Sequence, residues 1–534
     1  MPQTETLTMP AVETSQPWWR GATIYQIYPR SFVDSNGDGI GDLPGITARL
    51  EHVSSLGADA VWISPFFTSP MHDFGYDVAD YRSVDPIFGT LADFDALVAR
   101  AHGLGLKVLI DLVFAHTSNE HAWFTESRES RTNPKADWYV WADPKPDGSP
   151  PSNWQSVFGG PSWTWDARRE QYFMHNFLKE QPQLNGHHPE VQQALLDIVR
   201  FWLDRGVDGF RFDAVNFMMH DRQLTDNPPV SNPAQRTRPF DFQHHLHNQS
   251  QPEIPLFLKR VRQLLDERGA FAVAEVGGEQ AYREMHDYTA PGRLHSAYGF
   301  DYLYAPELTP ELVARTSARW PDDDDKGWPS WAFENHDAPR ALSRWVAPEH
   351  QAQFARMKML LLAALRGSII IYQGEELGLT QVEVPFELLQ DPEAIANWPQ
   401  TLSRDGVRTP LPWTASEVGH GFTHGTPWLP FGTDHAALSV DRQDEDPHSL
   451  LNFTRRAIAL RNDHPALRWG RLDIIRADDH ALVFERTHEG QRLRCSFNLG
   501  SRPVTFDRDG RTLFVTGTVD AGEAAAYSAS IEEL

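Results

Sequence analysis

The stretch Gly209-Phe210-Arg211-Phe212-Asp213 decides the fold of this chain, because it has the form of a buried β-strand with charged residues towards its end. Glycine opens the stretch, and two aromatic residues alternate with an arginine and an aspartate. Such charges on an apolar strand are costly to desolvate unless they are paired or used in chemistry. Taken alone, the stretch is explained most simply by a structural ion pair that closes a core strand.

Similar apolar runs recur along the chain, and their number changes that interpretation. The predicted strands are 23–28, 60–63, 107–113, 209–213, 271–274, 298–302, 331–333 and 368–372. Helical patterns separate several of them, near 43–56, near 91–104, from Pro189 and from about 354. Eight strands that alternate with helices predict an α/β fold of the (β/α)8 TIM-barrel type.

Two segments depart from this alternation. Residues 117–185 are rich in Trp, Pro, Asn and Gly, which predicts a small domain inserted after strand three. Short strand-like runs separated by turns predict a C-terminal antiparallel β-domain at 469–534. The barrel would then comprise 18–116 and 186–468, and residues 1–17 would form a flexible N-terminal arm.

Charged and polar side chains stand at or just beyond the ends of four predicted strands. They are Asp111, His116, Arg211, Asp213, Glu275, His336 and Asp337. In a parallel barrel, the carboxyl ends of the strands form the active-site face, so these groups would converge there. Two carboxylates from adjacent strands could flank one glycosidic bond, at about 5–5.5 Å when configuration is retained.

The two candidate carboxylates have different neighbours in the sequence. Arg211 lies two residues before Asp213, on the same side of the strand, and would keep that carboxylate ionised. Glu275 has no basic neighbour in the sequence, so burial would raise its pKa towards that of a general acid.

Composition and terminal sequence limit the partners, the metal sites and the cellular location to be expected. Lys and Arg number 48 against 73 Asp and Glu, a net charge of −25, which argues against nucleic acid and anionic membranes. The single cysteine, Cys495, excludes an internal disulfide and a thiolate metal cluster. Residues 1–17 lack the features of a signal peptide, and no apolar run reaches membrane length. We predict a cytoplasmic monomer or homodimer that acts on a small substrate.

The loop from Asp34 to Asp42 has the spacing of a calcium loop, with oxygen-bearing side chains at alternate positions and glycine at the sixth. Its candidate ligands are Asp34, Asn36, Asp38, the Ile40 carbonyl and Asp42. The twelfth position is Gly45 and not glutamate, so the loop is not an EF-hand. A metal-free turn is the alternative. The histidines show no zinc-ligand spacing.

Several separate motifs resemble family 13 glycoside hydrolases of the bacterial α-glucosidase and oligo-1,6-glucosidase type. These motifs occupy 111–116, 209–216, 275–276, 333–337, 372–376 and 404–410. The resemblance runs from Trp18 through the C-terminal domain. It implies a retaining, exo-acting α-glucosidase that releases α-glucose from short α-glucosides and can also transfer the glucosyl group to another alcohol.

The resemblance also implies roles for particular residues. Asp213 would be the nucleophile, Glu275 the general acid and then base, and Asp337 the group that binds the sugar hydroxyls. The glucose pocket would be formed by Asp73, Tyr76, His116, Phe158, Phe177, Arg211, His336 and Arg404. The loop at 34–42 would hold a structural Ca²⁺ or Mg²⁺ ion remote from the chemistry, and no catalytic cofactor is implied.

The residue after the presumed nucleophile, Ala214, bears on linkage. In similar enzymes valine at this position accompanies α-1,6 preference, whereas a smaller residue or threonine accompanies α-1,4 preference. The resemblance therefore implies that this chain prefers maltose-type α-1,4 bonds.

Three positions depart from the family pattern and concern the pocket beyond the first glucose. Gln183 stands where aspartate is usual, Gly186 where a large apolar residue is usual, and Glu393 where relatives carry tyrosine. Two alternatives stay open. One is a trehalose-forming or sucrose-isomerising enzyme with the same three carboxylates. The other is a catalytically inactive barrel that binds a partner, against which the presence of all three carboxylates argues.

Overall fold

The computed structural model describes residues 16–231, 238–320, 327–399, 403–520 and 522–534. Its centre is a closed barrel of eight parallel strands in which neighbours along the chain are also neighbours in space. The strands are β1 (Thr23–Ile27), β2 (Ala60–Ile63), β3 (Lys107–Val113), β4 (Gly209–Asp213), β5 (Phe271–Glu275), β6 (Ser296–Tyr298), β7 (Trp328–Ala332) and β8 (Ser368–Tyr372). Pairing of β8 with β1 closes the barrel and confirms the predicted fold class.

Two strands begin earlier than the sequence predicts. Strand β6 starts at Ser296, whose hydroxyl donates to the Trp328 carbonyl at 2.6 Å and lies 2.7 Å from the Ser330 hydroxyl. Strand β7 contains Pro329, which pairs in register with Ala297. Serines and a proline do not mark a buried strand in the sequence, and here mutual hydrogen bonding satisfies the serine hydroxyls.

Helices lie between the barrel strands along the chain, and further helices follow the last strand. The longer ones are Leu43–Ser55, Leu91–Gly103, Pro189–Asp204, Ile254–Asp266, Ala281–Tyr288, Pro310–Ala318, Gln351–Ala364 and Leu450–Asp463, and the shorter ones are Ala122–Ser127, Ala341–Trp345, Pro392–Asn397, Val440–Glu445 and Pro465–Trp469. Local sequence fixes several starts. Thr90 and Asp93 form a reciprocal capping box, and Pro189 occupies the first turn of its helix. In the part of the chain that the structure describes, no helix has the length and apolar character needed to cross a membrane.

A small antiparallel sheet of Trp141–Ala142, Gln171–Met174 and Trp163–Asp166 lies in the segment between β3 and β4. The C-terminal part forms a five-stranded antiparallel sheet in the order Arg471–Asp478, Ala481–His488, Gln491–Asn498, Ala529–Glu533 and Arg511–Thr516. A smaller sheet joins Val504–Thr505, Glu523–Ala524 and Val519–Asp520. Residues 1–15 lie outside the described residues, so the flexible arm stays a prediction, as do the domain limits.

Candidate active site

A cavity of about 920 Å³ lies at the carboxyl ends of the barrel strands. Residues predicted for catalysis and substrate binding line it, namely Asp73, Tyr76, His116, Phe158, Phe177, Asp213, Ala214, Glu275, Asp337 and Arg404. Arg211 and His336, also predicted, are fully buried and directly contact lining residues. The structure therefore brings all the residues predicted for catalysis and substrate binding to one place.

Arg211 is the buried cation at the centre of the site. Its Nη1 donates to Asp111 Oδ1 at 2.8 Å and to Asp213 Oδ1 at 2.6 Å, and its Nη2 contacts Glu275 Oε1. The barrel register produces this arrangement, because Asp111 on β3 lies directly opposite Arg211 on β4. One guanidinium thus serves three buried carboxyl groups, which is more negative charge than it can neutralise.

The shared guanidinium corrects one expectation. Burial raises the pKa of Asp213 to about 7, and Arg211 opposes this rise without preventing it. Burial likewise raises the pKa of Glu275 to about 7, with Asp213 adding to the rise. Arg211 alone therefore does not keep Asp213 ionised, because it is divided among three groups. Near neutral pH the pair instead populates a form with one proton, which a retaining glycosidase needs.

Asp337 has the opposite electrostatic environment. Burial would raise its pKa, but the charged guanidiniums of Arg408 and Arg404 hold that pKa far below the usual range, and His336, which is neutral near pH 7, adds no charge. Arg408 Nη2 donates to Asp337 Oδ1 at 2.7 Å, and His336 Nε2 lies 3.3 Å from Oδ2. Asp337 therefore stays ionised and accepts hydrogen bonds, and it does not supply a proton.

The Tyr76 ring is held rigidly beneath the cavity. It stacks on His336 with ring centroids 5.5 Å apart and planes inclined by 5°, and its hydroxyl lies 2.6 Å from His336 Nε2. The same hydroxyl donates to Asp111 Oδ2 at 3.2 Å. Burial lowers the pKa of His336 to about 3, so the imidazole is neutral. Tyr76 therefore presents to the cavity an aromatic ring that is held by a ring stack and by two hydroxyl contacts.

One side of the cavity is closed by a network of polar side chains. Arg404 Nη2 donates to Asp73 Oδ1 at 3.0 Å and to Asp391 Oδ1 at 2.8 Å. Gln181 Nε2 donates to Asp73 Oδ2 at 3.1 Å. Asp391 and Gln181 are fully buried behind this wall. Asp73 and Arg404 therefore present polar atoms to the cavity, and buried side chains close the space behind them.

Aromatic side chains from the segment between β3 and β4 line another side. The rings of Phe158 and Phe177 meet edge to face at 5.7 Å, and Phe177 lies 5.2 Å from the His116 ring. The Arg404 guanidinium lies 5.2 Å from the centre of the Phe158 ring. These contacts support the predicted apolar wall, because the inserted segment covers the barrel mouth at this point.

Sequence reasoning assigns no site role to several residues that the structure places here. Arg408, Asp391, Gln181 and Tyr298 contact predicted site residues, and Arg238, Phe240, Phe300 and Tyr304 line the cavity. The sequence contains only weak indications of these roles. Arg408 lies in the motif at 404–410, whereas Tyr298 is predicted only as the start of a strand.

The three departures from the family pattern have different surroundings. Gln183 is fully buried, its Nε2 donates to the Phe217 carbonyl at 2.7 Å, and it belongs to the core beneath the cavity. At Gly186, a Cβ would lie 2.2 Å from the Met218 carbonyl, which explains why no larger residue stands there. Glu393 alone of the three lines the cavity, and its Oε1 lies 3.0 Å from Arg238 Nη1.

The loop at 34–42 packs against Phe422 and Thr423 and not against the cavity. Asp34 Oδ1 accepts from the Gly37 amide at 2.7 Å, and Asp42 Oδ1 accepts from the Gly45 amide at 2.7 Å. Within the described ranges, no group of three or more His, Cys, Asp or Glu side chains is arranged to hold a metal ion. The Asp34 carboxylate already accepts four hydrogen bonds, from the amides of Asn36, Gly37 and Gly39 and from the Thr423 hydroxyl. Asp38 and Asp42 retain lone pairs, and hard oxygen donors of this kind suit Ca²⁺ or Mg²⁺. The ion therefore stays a proposal.

The chain matches the Alpha-amylase family, described as "Alpha amylase, catalytic domain", over residues 26–470. It therefore belongs to this family and is a glycoside hydrolase, which confirms both the resemblance and the enzyme class inferred from the motifs. Two similar proteins are named as a probable alpha-glucosidase and an oligo-1,6-glucosidase.

The chain is 51% identical to a probable alpha-glucosidase of Rhizobium meliloti over 93% of this chain and 92% of the relative. It is 36% identical to the oligo-1,6-glucosidase of Heyndrickxia coagulans over 96% of this chain and 97% of the relative. Among solved structures, the alpha-glucosyl transfer enzyme XgtA superposes with a TM-score of 0.93 at 51% identity, covering 97% of this chain and 99% of that one. The trehalulose synthase MutB of Pseudomonas mesoacidophila superposes with a TM-score of 0.89 at 30% identity, with the same two coverages.

Proposed function

We propose that the protein is a retaining, exo-acting α-glucosidase that releases α-glucose from short α-glucosides, prefers α-1,4 bonds and can transfer glucose to other alcohols. The observation that carries this proposal is the pairing of Asp213 and Glu275 on adjacent strands, joined by Arg211 within one cavity. Both carboxyl groups have a pKa of about 7, so one can be ionised while the other is protonated.

In the proposed reaction, the Asp213 carboxylate attacks the anomeric carbon and forms a glucosyl ester. Glu275 gives its proton to the departing glycosidic oxygen, so that bond breaks without release of an alkoxide. The Glu275 carboxylate then takes a proton from water or another alcohol, which attacks the ester and restores Asp213. Asp337, held ionised by Arg408, accepts hydrogen bonds from sugar hydroxyls.

Exo-action is supported by the closed side of the cavity. The Asp73–Arg404 pair is backed by Asp391 and Gln181, which are both fully buried. A sugar with its non-reducing end against this wall would have no path for a further residue on that side. Cleavage would then release one glucose at a time.

Glucosyl transfer is a second candidate as the main activity. Phe240, Phe300 and Tyr304 also line the cavity, and they offer apolar surface to an acceptor. The 51% identity to an alpha-glucosyl transfer enzyme supports this candidate. Trehalulose synthesis is the activity named for a more distant relative at 30% identity, for which sucrose is named as the substrate. The inactive-barrel alternative has no support, because the three carboxylates are assembled in the cavity.

The function is tested by incubating the protein separately with maltose, isomaltose, sucrose and trehalose and separating the products by chromatography. Hydrolysis predicts glucose from maltose, together with transfer products that increase with maltose concentration. Conversion of sucrose to its isomers as the dominant reaction, with little glucose from maltose, would contradict the proposal and favour the isomerase alternative.

Linkage preference gives a sharper prediction at Ala214. This residue lines the cavity and has a left-handed backbone with φ of 41°. Its methyl group leaves room for the α-1,4 partner, whereas a valine would crowd that ring more than the longer α-1,6 link. We expect a higher kcat/KM for maltose than for isomaltose, by roughly 10–200-fold, since one small apolar contact contributes about 1–3 kcal/mol. Ala214→Val is expected to reduce or invert this ratio.

The matched control for this change is Ala214→Thr. Threonine has the same branching at Cβ, so it introduces the same strain at a positive φ. The resemblance associates threonine with α-1,4 preference. Ala214→Thr should therefore keep a higher kcat/KM for maltose than for isomaltose. An unchanged ratio in Ala214→Val would remove the role assigned to Ala214, whereas an equal change in Ala214→Thr would show that side-chain volume alone sets the preference and that the association of threonine with α-1,4 bonds does not apply to this chain.

The loop at 34–42 is expected to bind Ca²⁺ or Mg²⁺ and to support stability, not catalysis. An ion that binds only the folded state stabilises it by about 2.7 kcal/mol at 100 times its Kd. EDTA should therefore lower the Tm before it lowers the initial rate, and Asp38→Ala should lower the Tm and abolish the EDTA effect. The control is Asp147→Ala, an exposed aspartate that hydrogen-bonds within its own turn. Absence of metal by elemental analysis, with a wild-type Tm in Asp38→Ala, would contradict the prediction.

The cytoplasmic location and the oligomeric state, monomer or homodimer, stay predictions of the sequence.

A further inference from the structure

Tyr298 ends strand β6 and is almost completely buried beneath the cavity. Its hydroxyl accepts hydrogen bonds from Arg211 Nε and Nη2, each at 3.1 Å, and lies 3.1 Å from Glu275 Oε1. A phenolic oxygen has one proton to donate. Because the guanidinium occupies its acceptor sites, that proton is directed to Glu275.

We propose that Tyr298 is a positioning residue for the acid–base Glu275, which fixes Oε1 as a hydrogen-bond acceptor so that Oε2 carries the transferred proton. The inference rests on the proposed function, because it assigns a partner to the group that acts as acid and then base. None of the motifs that carry the family resemblance includes this tyrosine.

The two oxygens of Glu275 have unequal surroundings. Oε1 contacts Arg211 Nη2 and accepts from the Tyr298 hydroxyl, so a proton there would face two donors. Oε2 has one weak contact among the described residues, the Ala214 backbone N–H at 3.4 Å. The acid proton therefore belongs on Oε2, next to the residue after the nucleophile.

Several charged or titratable groups influence Glu275 from the surrounding elements. They are Arg211 and Asp213 on β4, Asp111 on β3, Asp337 after β7, Tyr298 on β6 and Tyr304 after β6. Arg211 also serves Asp111 and Asp213, so its charge does not distinguish Glu275 from them. The Tyr298 hydroxyl is a neutral donor to Glu275 and therefore sets its orientation without adding charge.

Removal of this hydroxyl has a defined effect on the pH profile. A hydrogen bond to the ionised carboxylate lowers the pKa of Glu275, so its loss in Tyr298→Phe raises that pKa. Cleavage needs protonated Glu275 in the free enzyme, and activity falls as pH rises through this pKa. The alkaline limb of kcat/KM should therefore move to higher pH, by about one unit for one hydrogen bond to a charged group.

The leaving group gives a second readout. Maltose releases an alcohol that needs the acid proton, whereas 4-nitrophenyl α-glucoside releases a stabilised phenolate that needs it little. If Tyr298 orients the acid, Tyr298→Phe should lower kcat/KM for maltose by about tenfold and much less for the aryl glucoside. A change that only disturbed packing would lower both constants by similar factors and leave the alkaline limb in place.

The control is Tyr302→Phe. Tyr302 is buried close by in the chain, but its hydroxyl pairs with the Thr316 hydroxyl at 2.5 Å and not with Glu275. It should change stability without moving the alkaline limb. A second site variant, Tyr298→His, keeps a ring donor, and its alkaline limb should lie below that of Tyr298→Phe.

The outcomes separate this inference from the proposed function. A wild-type alkaline limb and equal losses on both substrates in Tyr298→Phe, while Glu275→Gln is inactive on maltose, would overturn the inference and leave the function standing. Full activity of Glu275→Gln on maltose would overturn the function itself. If Tyr298→Phe does not fold, Tyr298→Leu, which also lacks the hydroxyl, replaces it: an alkaline limb above that of the wild-type enzyme supports the inference, and an unshifted limb opposes it.

Discussion

Asp213→Asn is expected to abolish nearly all turnover, with kcat falling by roughly 10⁴-fold or more, as when other enzymes lose their nucleophile. An amide cannot form the glucosyl ester on which both halves of the reaction depend. The fold should survive, because the introduced asparagine keeps a carbonyl oxygen that can accept from Arg211 Nη1, which lies 2.6 Å from the native carboxylate. The measurement is kcat with maltose and with 4-nitrophenyl α-glucoside, beside the Tm.

A matched control lies at the opposite end of the same strand. Asp208 directly precedes β4, where its carboxylate accepts from Lys107 Nζ at 2.9 Å and from the Val108 amide at 2.9 Å. Asp208→Asn should lower the Tm and leave kcat close to that of the wild-type enzyme. Near wild-type turnover in Asp213→Asn, or an equal loss of kcat in Asp208→Asn, would remove Asp213 from the nucleophile role.

The sequence predicts the barrel well where large apolar residues dominate the strands. Strands β2, β3, β4 and β8 have the predicted limits, because parallel barrel strands are covered on both faces and are rich in apolar residues, which in β3 and β4 flank the charged positions. Strands β6 and β7 are misplaced because Ser296, Ser330 and Pro329 interrupt such runs. The Ser296 and Ser330 hydroxyls hydrogen-bond to each other across β6 and β7. Such a contact cannot be identified from the sequence before the pairing of the two strands is known.

The candidate site is predictable to the extent that its residues follow strands. Asp213, Glu275 and Asp337 stand at or beyond the ends of β4, β5 and β7, so the fold alone brings them together. The contacts that set their charge states are not visible in this way. Arg408 and Asp337 are 71 positions apart, and Arg404 and Asp73 are 331 apart. Only the loops between the strands, whose paths have no simple periodicity, determine those contacts.

Arg211 shows how a correct local inference can be incomplete. Its spacing from Asp213 predicts an ion pair, and the structure contains that pair. The barrel register also places Asp111 opposite Arg211, and Glu275 reaches the same guanidinium from β5. The charge is therefore shared, and the pKa of Asp213 rises to about 7, with burial as the main cause. Because Asp213 and Glu275 share one guanidinium, the pair retains one proton near neutral pH, and the proposed reaction needs that proton for its acid step.

Glu275→Gln is expected to separate the two halves of the reaction. The amide has no proton of suitable acidity for the leaving oxygen and cannot act as a base, so kcat on maltose should fall by roughly 10²–10⁴-fold.

With 4-nitrophenyl α-glucoside the first half needs little acid, so the glucosyl ester on Asp213 should form and accumulate. Intact-mass spectrometry should then show one added hexose, which is absent in Asp213→Asn.

Azide, an anion that needs no general base, should accelerate breakdown of the ester and yield α-glucosyl azide, because two displacements retain configuration. The control is Glu267→Gln, an exposed residue at the end of the helix before β5, which should behave as wild type. A Glu275→Gln enzyme without added hexose, without azide acceleration and with wild-type activity on maltose would show that the acid and base lie elsewhere in the cavity.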